Sequence, residues 1–206
     1  DVNRISMGDI VIEAVQEDLL AKKNVFEKFN WLCDDSTILV TTTAFNSISE
    51  ISHGTERPDR VIGLNFVDSL NGFKLVEVIK TLSTSLETLK LCEDFCRSLS
   101  KEFVTINEAP GFIYSRMDAV IINEAFRMLM SGVGTAADID KAVKLGLNHE
   151  LGPFEKTDMI GLDRVLAILK HLENTVDNRY KPCSLLVNYV NTGRLGCKAG
   201  KGVYDY

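Results

Sequence analysis

Residues 9–15 read DIVIEAV, a short and nearly continuous apolar run that is typical of a strand buried on both faces. Residues 19–33 follow, and their leucine, phenylalanine and tryptophan are mixed with lysines and acids as in a helix. Residues 37–42 read TILVTT and predict a second strand, because β-branched residues favour strands. A strand, a helix and a strand in succession predict a parallel or mostly parallel sheet covered by helices.

The same alternation continues through the first half of the chain. Residues 60–66 and 75–79 predict two more strands, and residues 102–106 predict a last one. Residues 47–50 and 84–87 each fit a capping box, the pattern that opens a helix. The first half is therefore expected to be an α/β domain.

The second half has a different pattern. Residues 107–111 read NEAPG, which breaks the alternation. Beyond this point apolar residues recur at helical spacing, which predicts an all-helical region. We therefore place a domain boundary near Asn107, with one domain over residues 1–107 and a second over residues 108–206.

Composition excludes several classes of partner. The 206 residues carry a net charge of −6, which argues against nucleic acid and against anionic membrane surfaces. No apolar run reaches the roughly 18 residues of a membrane helix, so an integral membrane protein is not expected. The five cysteines include no CxxC pair. This pattern predicts a reducing compartment and no zinc site.

Two charged positions stand out in this pattern. Glu77 lies inside an apolar strand, where a carboxylate needs a partner, and the sequence leaves open whether that partner is an ion pair or a functional site. Lys22 and Lys23 are interpreted as a solvated face.

Six segments, taken in order, resemble the NAD-dependent L-3-hydroxyacyl-CoA dehydrogenases. The resemblance implies part of a Rossmann-type domain with a parallel sheet, followed by an all-α domain of the 6-phosphogluconate-dehydrogenase-like type. In this family the helical domain carries the dimer contact, so a homo- or hetero-oligomer is expected. The segments are EAVQE (residues 13–17), RPDRVIG (57–63), KLVEVI (74–79), APGFI (109–113), DIDKAVKLGLNH (138–149) and GCKAGKGVYDY (196–206).

The resemblance also assigns site positions. The family's catalytic histidine corresponds to Asn65, and the glutamate that orients it is kept as Glu77. The positions of the family's catalytic serine and substrate-binding asparagine hold Ala44 and Ser115. Glu17 and Lys22 match positions that contact the cofactor, and Asp68 replaces an asparagine there.

These substitutions bear on the chemistry. Oxidising an alcohol at neutral pH needs a group that takes up a proton, and an imidazole does this where a carboxamide does not. Losing the base alone costs a factor of about 10²–10⁴ in rate. The loss of the serine hydroxyl at Ala44 removes a substrate hydrogen bond as well. No cofactor is therefore expected, except NAD if the protein is an enzyme.

The family begins with a strand, a GxGxxG turn and a helix, and this sequence starts just before what corresponds to the family's fourth strand. The resemblance therefore predicts an open, apolar sheet edge that another chain or a further segment covers.

Three functions remain open on this basis. The first is a non-catalytic structural subunit of a larger assembly, built on a degenerate 3-hydroxyacyl-CoA dehydrogenase fold. The second is an active NAD-dependent dehydrogenase of fatty-acid β-oxidation whose N-terminal segment lies outside this sequence. The third is a sensor that binds acyl-CoA or a nucleotide. Since the family occurs in mitochondria and in bacterial cytoplasm, a mitochondrial location is expected, with bacterial cytoplasm as the alternative.

Overall fold

The computed structural model describes residue 5 and residues 8–67 and 75–206. The chain divides into two compact units, Asp1–Phe112 and Ile113–Tyr206. Among the described residues, the first unit combines a five-stranded sheet with three α-helices, and the second unit is helical. A Rossmann-like α/β domain followed by a helical domain is the architecture that the sequence predicts, and it is confirmed.

The sheet has the strand order β1-β2-β3-β4-β5. β1 pairs with β2, β2 with β3 and β4 with β5 in parallel, whereas β3 and β4 run antiparallel. The helices α1 and α2 lie between the first three strands in sequence, and α3 lies between the last two. The bounds are β1 Ile10–Glu13, α1 Leu19–Leu32, β2 Ile38–Thr41, α2 Ile48–Ser52, β3 Val61–Val67, β4 Leu75–Lys80, α3 Leu86–Ser98 and β5 Glu102–Asn107.

The antiparallel pairing of β3 and β4 departs from a purely parallel sheet. Seven residues, 68–74, separate the two strands, whereas a parallel pair needs a crossover of about a dozen residues or more. A connection this short therefore requires the chain to reverse its direction. The consequence is that the start of β4 lies beside the end of β3, which brings Glu77 opposite Asn65.

β1 also differs from the expectation of a strand buried on both faces. It lies at one edge of the described sheet, and Ile12 is 38% exposed. β2, one position further in, is buried along its whole length. The apolar run at residues 9–15 thus predicts a strand correctly but not the burial of both its faces.

Two hydrophobic clusters form from alternate residues of the strands, which point to opposite faces of the sheet. Leu39 of β2 packs with Phe26 of α1 and Ile48 of α2 in one cluster. Ile38 and its alternate neighbour Val40 belong to the other cluster, with Cys92 and Cys96 of α3. The two cysteines are fully buried, and burial, with Cys96 beside it, raises the pKa of Cys92 to about 12.

Gly63 allows α2 to approach the sheet closely. A Cβ atom at this position would lie 2.3 Å from Cδ1 of Ile48, which is closer than any real contact. Ile48, the first residue of α2, is fully buried against Gly63. Because Gly63 has no side chain, α2 can pack close to β3, and this close packing also positions the loop that precedes α2.

The second unit contains five helices around an aromatic centre. Phe126 of the first helix meets the ring of Phe154 edge-on at 5.1 Å, and the ring of Tyr189 at 6.1 Å. Leu162 and Leu169 are fully buried in the same unit. The bounds are α4 Tyr114–Met130, α5 Ala136–Gly146, α6 Pro153–Ile160, α7 Leu162–Thr175 and α8 Ser184–Asn191.

Buried Asp158 holds the segment after α8. Its carboxylate accepts hydrogen bonds from the backbone N–H groups of Val203 and Tyr204, both at 2.8 Å, and from the hydroxyl of Tyr206 at 3.0 Å. Asp140 accepts the hydroxyl of Tyr204 at 2.8 Å, and burial raises the pKa of this aspartate. Residues 196–206 are thus held in place by buried carboxylates.

All five cysteines are free thiols. None of the helices that the structure describes combines the length and apolar character needed to cross a membrane.

Candidate functional site

Asn65 and Glu77 form a buried side-chain pair. They are direct partners in the antiparallel register of β3 and β4, so both side chains lie on one face of the sheet. Nδ2 of Asn65 donates a hydrogen bond to Oε2 of Glu77 at 2.7 Å. Glu77 is 1% exposed and Asn65 is 8% exposed. One partner of the strand glutamate is therefore a neutral carboxamide.

The loop after β2, which carries Ala44, is held by Glu17. Oε1 of Glu17 accepts hydrogen bonds from the Thr43 hydroxyl and from Nδ2 of Asn46, the latter at 2.7 Å. Oε2 of Glu17 accepts the backbone N–H of Ala44 at 3.2 Å. Ala44 itself is buried and has no hydroxyl. Glu17 thus links the loop after β1 to the loop after β2 by hydrogen bonds.

A buried ion pair lies where β1 and β2 end. Nζ of Lys22 lies 3.0 Å from Oε1 of Glu13, and neither side chain has exposed surface. The ammonium also donates to the carbonyl oxygens of Thr42 at 2.8 Å and Val15 at 3.4 Å. The second carboxylate oxygen of Glu13 accepts the hydroxyl of Thr41 at 2.7 Å. Every charge in this cluster is therefore hydrogen-bonded.

This cluster corrects the interpretation of Lys22 and Lys23 as one solvated face. Lys22 is fully buried, whereas Lys23 is partly exposed and forms an ion pair with Glu50 at 3.4 Å. Successive residues of a helix point about 100° apart, so one of the two lysines faces the strand ends. The solvated-face interpretation was wrong for Lys22.

The structure describes one of the two remaining predicted positions. Ser115 is buried in the first turn of α4, in the second unit. Asp68 falls outside the described residues. In the first unit the structure brings together Asn65 with Glu77, and Glu17 with the loop of Ala44.

Glu13, Thr41, Thr43 and Asn46 were missed by the sequence analysis. Glu13 carries the signal that singled out Glu77, since it is a carboxylate within an apolar run. The three polar residues had no signal of their own, because their role depends on bonds to residues that lie more than 20 positions away in the chain.

The pair of Asn65 and Glu77 can form hydrogen bonds with a ligand, but position 65 holds no side chain that acts as a general base. A carboxamide offers one acceptor and two N–H donors, and it takes up no proton at neutral pH. In the residues that the structure covers, no three metal-ligating side chains come together.

Two family models match this chain in succession. The NAD-binding domain of 3-hydroxyacyl-CoA dehydrogenase matches residues 1–109, and the C-terminal domain of 3-hydroxyacyl-CoA dehydrogenase matches residues 111–206. The chain belongs to the 3-hydroxyacyl-CoA dehydrogenase family.

Named relatives of this family cover the chain almost completely. A probable 3-hydroxybutyryl-CoA dehydrogenase of Bacillus subtilis is 41% identical, over 100% of this chain and 75% of its own length. The mitochondrial hydroxyacyl-coenzyme A dehydrogenase of Rattus norvegicus is 37% identical, over 96% of this chain and 64% of its own length. The family relatives thus include both bacterial and mitochondrial proteins.

A solved structure of the family has the same fold. The (S)-3-hydroxybutyryl-CoA dehydrogenase of Ralstonia eutropha superimposes with a TM-score of 0.94 at 36% identity, over 100% of this chain and 73% of its own. The family membership that the motifs indicate is confirmed, and with it the presence of a domain of the NAD-binding type. Nothing in these likenesses supports the expectation that no cofactor binds.

Proposed function

We propose that this protein is an NAD-dependent 3-hydroxyacyl-CoA dehydrogenase, which interconverts a short-chain 3-hydroxyacyl-CoA and its 3-keto form. The relatives' names support the reaction and the short acyl chain, because they are 3-hydroxybutyryl-CoA dehydrogenases. The observation that carries the proposal is the buried pair of Asn65 and Glu77. The family's catalytic histidine and its orienting glutamate correspond to these two positions.

The carboxyl ends of β1 and β2 fit a nicotinamide cofactor. In open α/β sheets, ligands bind beyond the carboxyl ends of the strands. Glu17 lies there, half-buried between the two loops that it joins. A nicotinamide cofactor held there would supply the acceptor for the hydride that leaves carbon 3 of the substrate. We assign Glu17 to the cofactor-binding surface, and we keep Asp68 as a further candidate from the resemblance.

Lys22 has a positioning role in this proposal. Its ammonium has no exposed surface, and it binds the carbonyl groups of Val15 and Thr42, one in each loop. We propose that Lys22 supports the cofactor side of the site by holding these loops in place.

Asn65 determines the route of the proton. Its amide oxygen accepts a hydrogen bond from the 3-hydroxyl group but does not take the proton, which leaves to water during oxidation and comes from water during reduction. The chemical step is therefore expected to be about 10²–10⁴ times slower than with a general base. Ala44 offers the substrate no hydroxyl, which slows the step further.

The experiment compares the protein with an Asn65→His variant, following the oxidation of NADH by acetoacetyl-CoA. We expect slow turnover by the protein itself, and a gain in kcat of about 10²-fold in the variant, because Glu77 is already placed to orient the new imidazole. The variant should also gain a pH dependence near the ordinary imidazole pKa of about 6.5, which the protein lacks. Asn191→His, on the exposed end of α8, is the matched control and should change neither.

Three substitutions support a second candidate, a non-catalytic subunit that retains the dehydrogenase fold. Asn65, Ala44 and Ser115 all lack the groups with which the family does its chemistry. If the protein gives no turnover above buffer but Asn65→His combined with Ala44→Ser gives turnover, the second candidate is the correct one. Steady turnover by the unchanged protein would exclude it.

An oligomer formed through residues 108–206 belongs to both candidates. Ile113, Met117 and Val120 support this proposal, since they follow one another at helical spacing along the start of α4 and are 44–63% exposed. Native mass spectrometry of the intact protein would test the proposed oligomer.

A further inference from the structure

We infer that Asn65, oriented by Glu77, is a specificity-determining residue that favours a 3-hydroxyacyl thioester over the corresponding 3-ketoacyl thioester. The inference rests on the proposed function, which puts carbon 3 of the substrate beside Asn65. It goes further in naming which of the two oxidation states the site binds more tightly.

The orientation of the Asn65 amide follows from its partner. Nδ2 of Asn65 donates to Oε2 of Glu77 at 2.7 Å, so the amide oxygen is directed away from this carboxyl oxygen. Turning the amide over would place two oxygens against each other in a buried site. Since losing the hydrogen bond of a buried polar group costs free energy, the turned form is disfavoured by about 10- to 100-fold.

The same bond leaves the amide oxygen of Asn65 as an unused acceptor. No donor among the described residues reaches this oxygen, since the amide's one hydrogen bond there is the bond to Glu77. Asn65 as a whole is 8% exposed. The site therefore presents this acceptor in a fixed direction.

An acceptor held in this way distinguishes an alcohol from a ketone. A 3-hydroxyl group donates its O–H to the amide oxygen, whereas a 3-keto oxygen has no hydrogen to donate and meets another set of lone pairs. Sites that hydrogen-bond a ligand group reject analogues that lack the matching group. A neutral imidazole that donates one ring N–H to a glutamate can take up a proton on the other nitrogen and become a donor, but a carboxamide keeps its polarity.

The test is isothermal titration calorimetry of the intact protein, without NAD so that no turnover occurs. The three ligands are 3-hydroxybutyryl-CoA, acetoacetyl-CoA and butyryl-CoA, the last of which has no oxygen on carbon 3. We expect 3-hydroxybutyryl-CoA to bind about tenfold more tightly than acetoacetyl-CoA. We expect the ratio of the two Kd values to stay constant between pH 6 and pH 8.

A Glu77→Gln variant tests the cause of the preference. A glutamine amide both donates and accepts, so Asn65 becomes free to turn and present its N–H groups. The ratio of the Kd values should then fall toward one. Glu93→Gln is the matched control, because Glu93 lies on α3 away from the pair and accepts the Thr105 hydroxyl. This control should keep the ratio of the unchanged protein.

The outcomes separate the inference from the proposed function. Equal binding of all three thioesters, or tighter binding of acetoacetyl-CoA, overturns the inference and leaves the proposed function standing. An unchanged ratio in a folded Glu77→Gln variant also overturns it. If that variant does not fold, the ratio of the two Kd values measured for the unchanged protein still tests the inference. Failure of all three ligands to bind contradicts the proposed function, and the inference fails with it.

Discussion

At the scale of single residues, the ion pair of Lys22 and Glu13 is the most demanding feature of the first unit. Neither side chain has exposed surface, and the pair joins the start of α1 to the ends of β1 and β2. Removing two charges from water costs free energy, and each charge compensates the other only while both partners are present. Removing one partner leaves an uncompensated buried charge.

We expect Lys22→Met to lower the free energy of unfolding by about 3–5 kcal/mol, because Glu13 then stays buried without a cation. Urea denaturation followed by circular dichroism measures this change. Lys23→Met is the matched control, and its exposed ion pair with Glu50 should contribute less than about 1 kcal/mol.

The combined variant Glu13→Gln and Lys22→Met sharpens this prediction. It removes both charges, so it should lose less stability than Lys22→Met alone. Equal or greater loss in the combined variant would show that packing, rather than the unpaired charge, accounts for the effect.

Single positions also show how far sequence reasoning reaches. Glu77 could be singled out because a carboxylate in an apolar strand is unusual, and the same reasoning would have found Glu13. The burial of Lys22 could not be predicted from neighbours in sequence. It depends on the Thr42 carbonyl, 20 positions away, which becomes a neighbour only when β1 and β2 pair.

At the scale of elements, α3 shows how one hydroxyl group starts a helix. The Ser85 hydroxyl accepts the backbone N–H of Thr88 at 3.1 Å, which is the N-cap bond. The capping box expected over residues 84–87 therefore lies one residue too early. Thr84 instead donates its hydroxyl to the carbonyl of Val61 at 2.8 Å, which holds the loop to the start of β3.

We expect Ser85→Ala to lower the free energy of unfolding by about 1 kcal/mol, because the N–H of Thr88 loses its acceptor. Thermal or urea denaturation measures the loss. Ser83→Ala, an exposed serine two residues earlier, is the matched control and should be nearly neutral. A similar loss in both variants would contradict the capping role.

The strands of the first unit were predictable because their apolar and β-branched runs are local features of the sequence. The direction of β4 follows from a local feature too, since the seven residues after β3 are too few for a crossover. The partners of an edge strand are not local, so the exposure of Ile12 in β1 could not be read from the apolar run alone.

At the scale of the whole molecule, acid stability depends on carboxylates whose pKa values differ between the folded and unfolded chain. The backbone N–H of Gly152 and the ammonium of Lys144 bind the Glu155 carboxylate, and these bonds hold its pKa below the ordinary value of 4.5. A lowered folded pKa contributes stability that is fully present above the unfolded value. This contribution is lost as the pH falls through the folded value.

We expect Glu155→Gln to lower the melting temperature at pH 7, and the difference from the unchanged protein to shrink as the pH falls below about 4.5 and then to vanish. Calorimetry between pH 7 and pH 3 measures this convergence. Glu102→Gln, at an exposed position on β5, is the control and should show no such trend. A difference that stays constant with pH would contradict the prediction.

The division into an α/β and a helical unit was predictable from the change of periodicity near Asn107, because strand and helix patterns differ over tens of residues. The chemistry of the site was less accessible. The motifs single out positions 44, 65, 77 and 115, but the contact between Asn65 and Glu77 follows only from the strand register that pairs them.

Lys22 and Lys23 are neighbours in the chain, yet the amine of Lys22 is buried and the amine of Lys23 is partly exposed to water. Thioesters and other acylating reagents react with accessible, uncharged amines. Lys23 is open to such labelling, whereas Lys22 becomes reactive only when the first turn of α1 separates from the strand ends. The rate of Lys22 acylation therefore measures how often the start of α1 separates from the ends of β1 and β2.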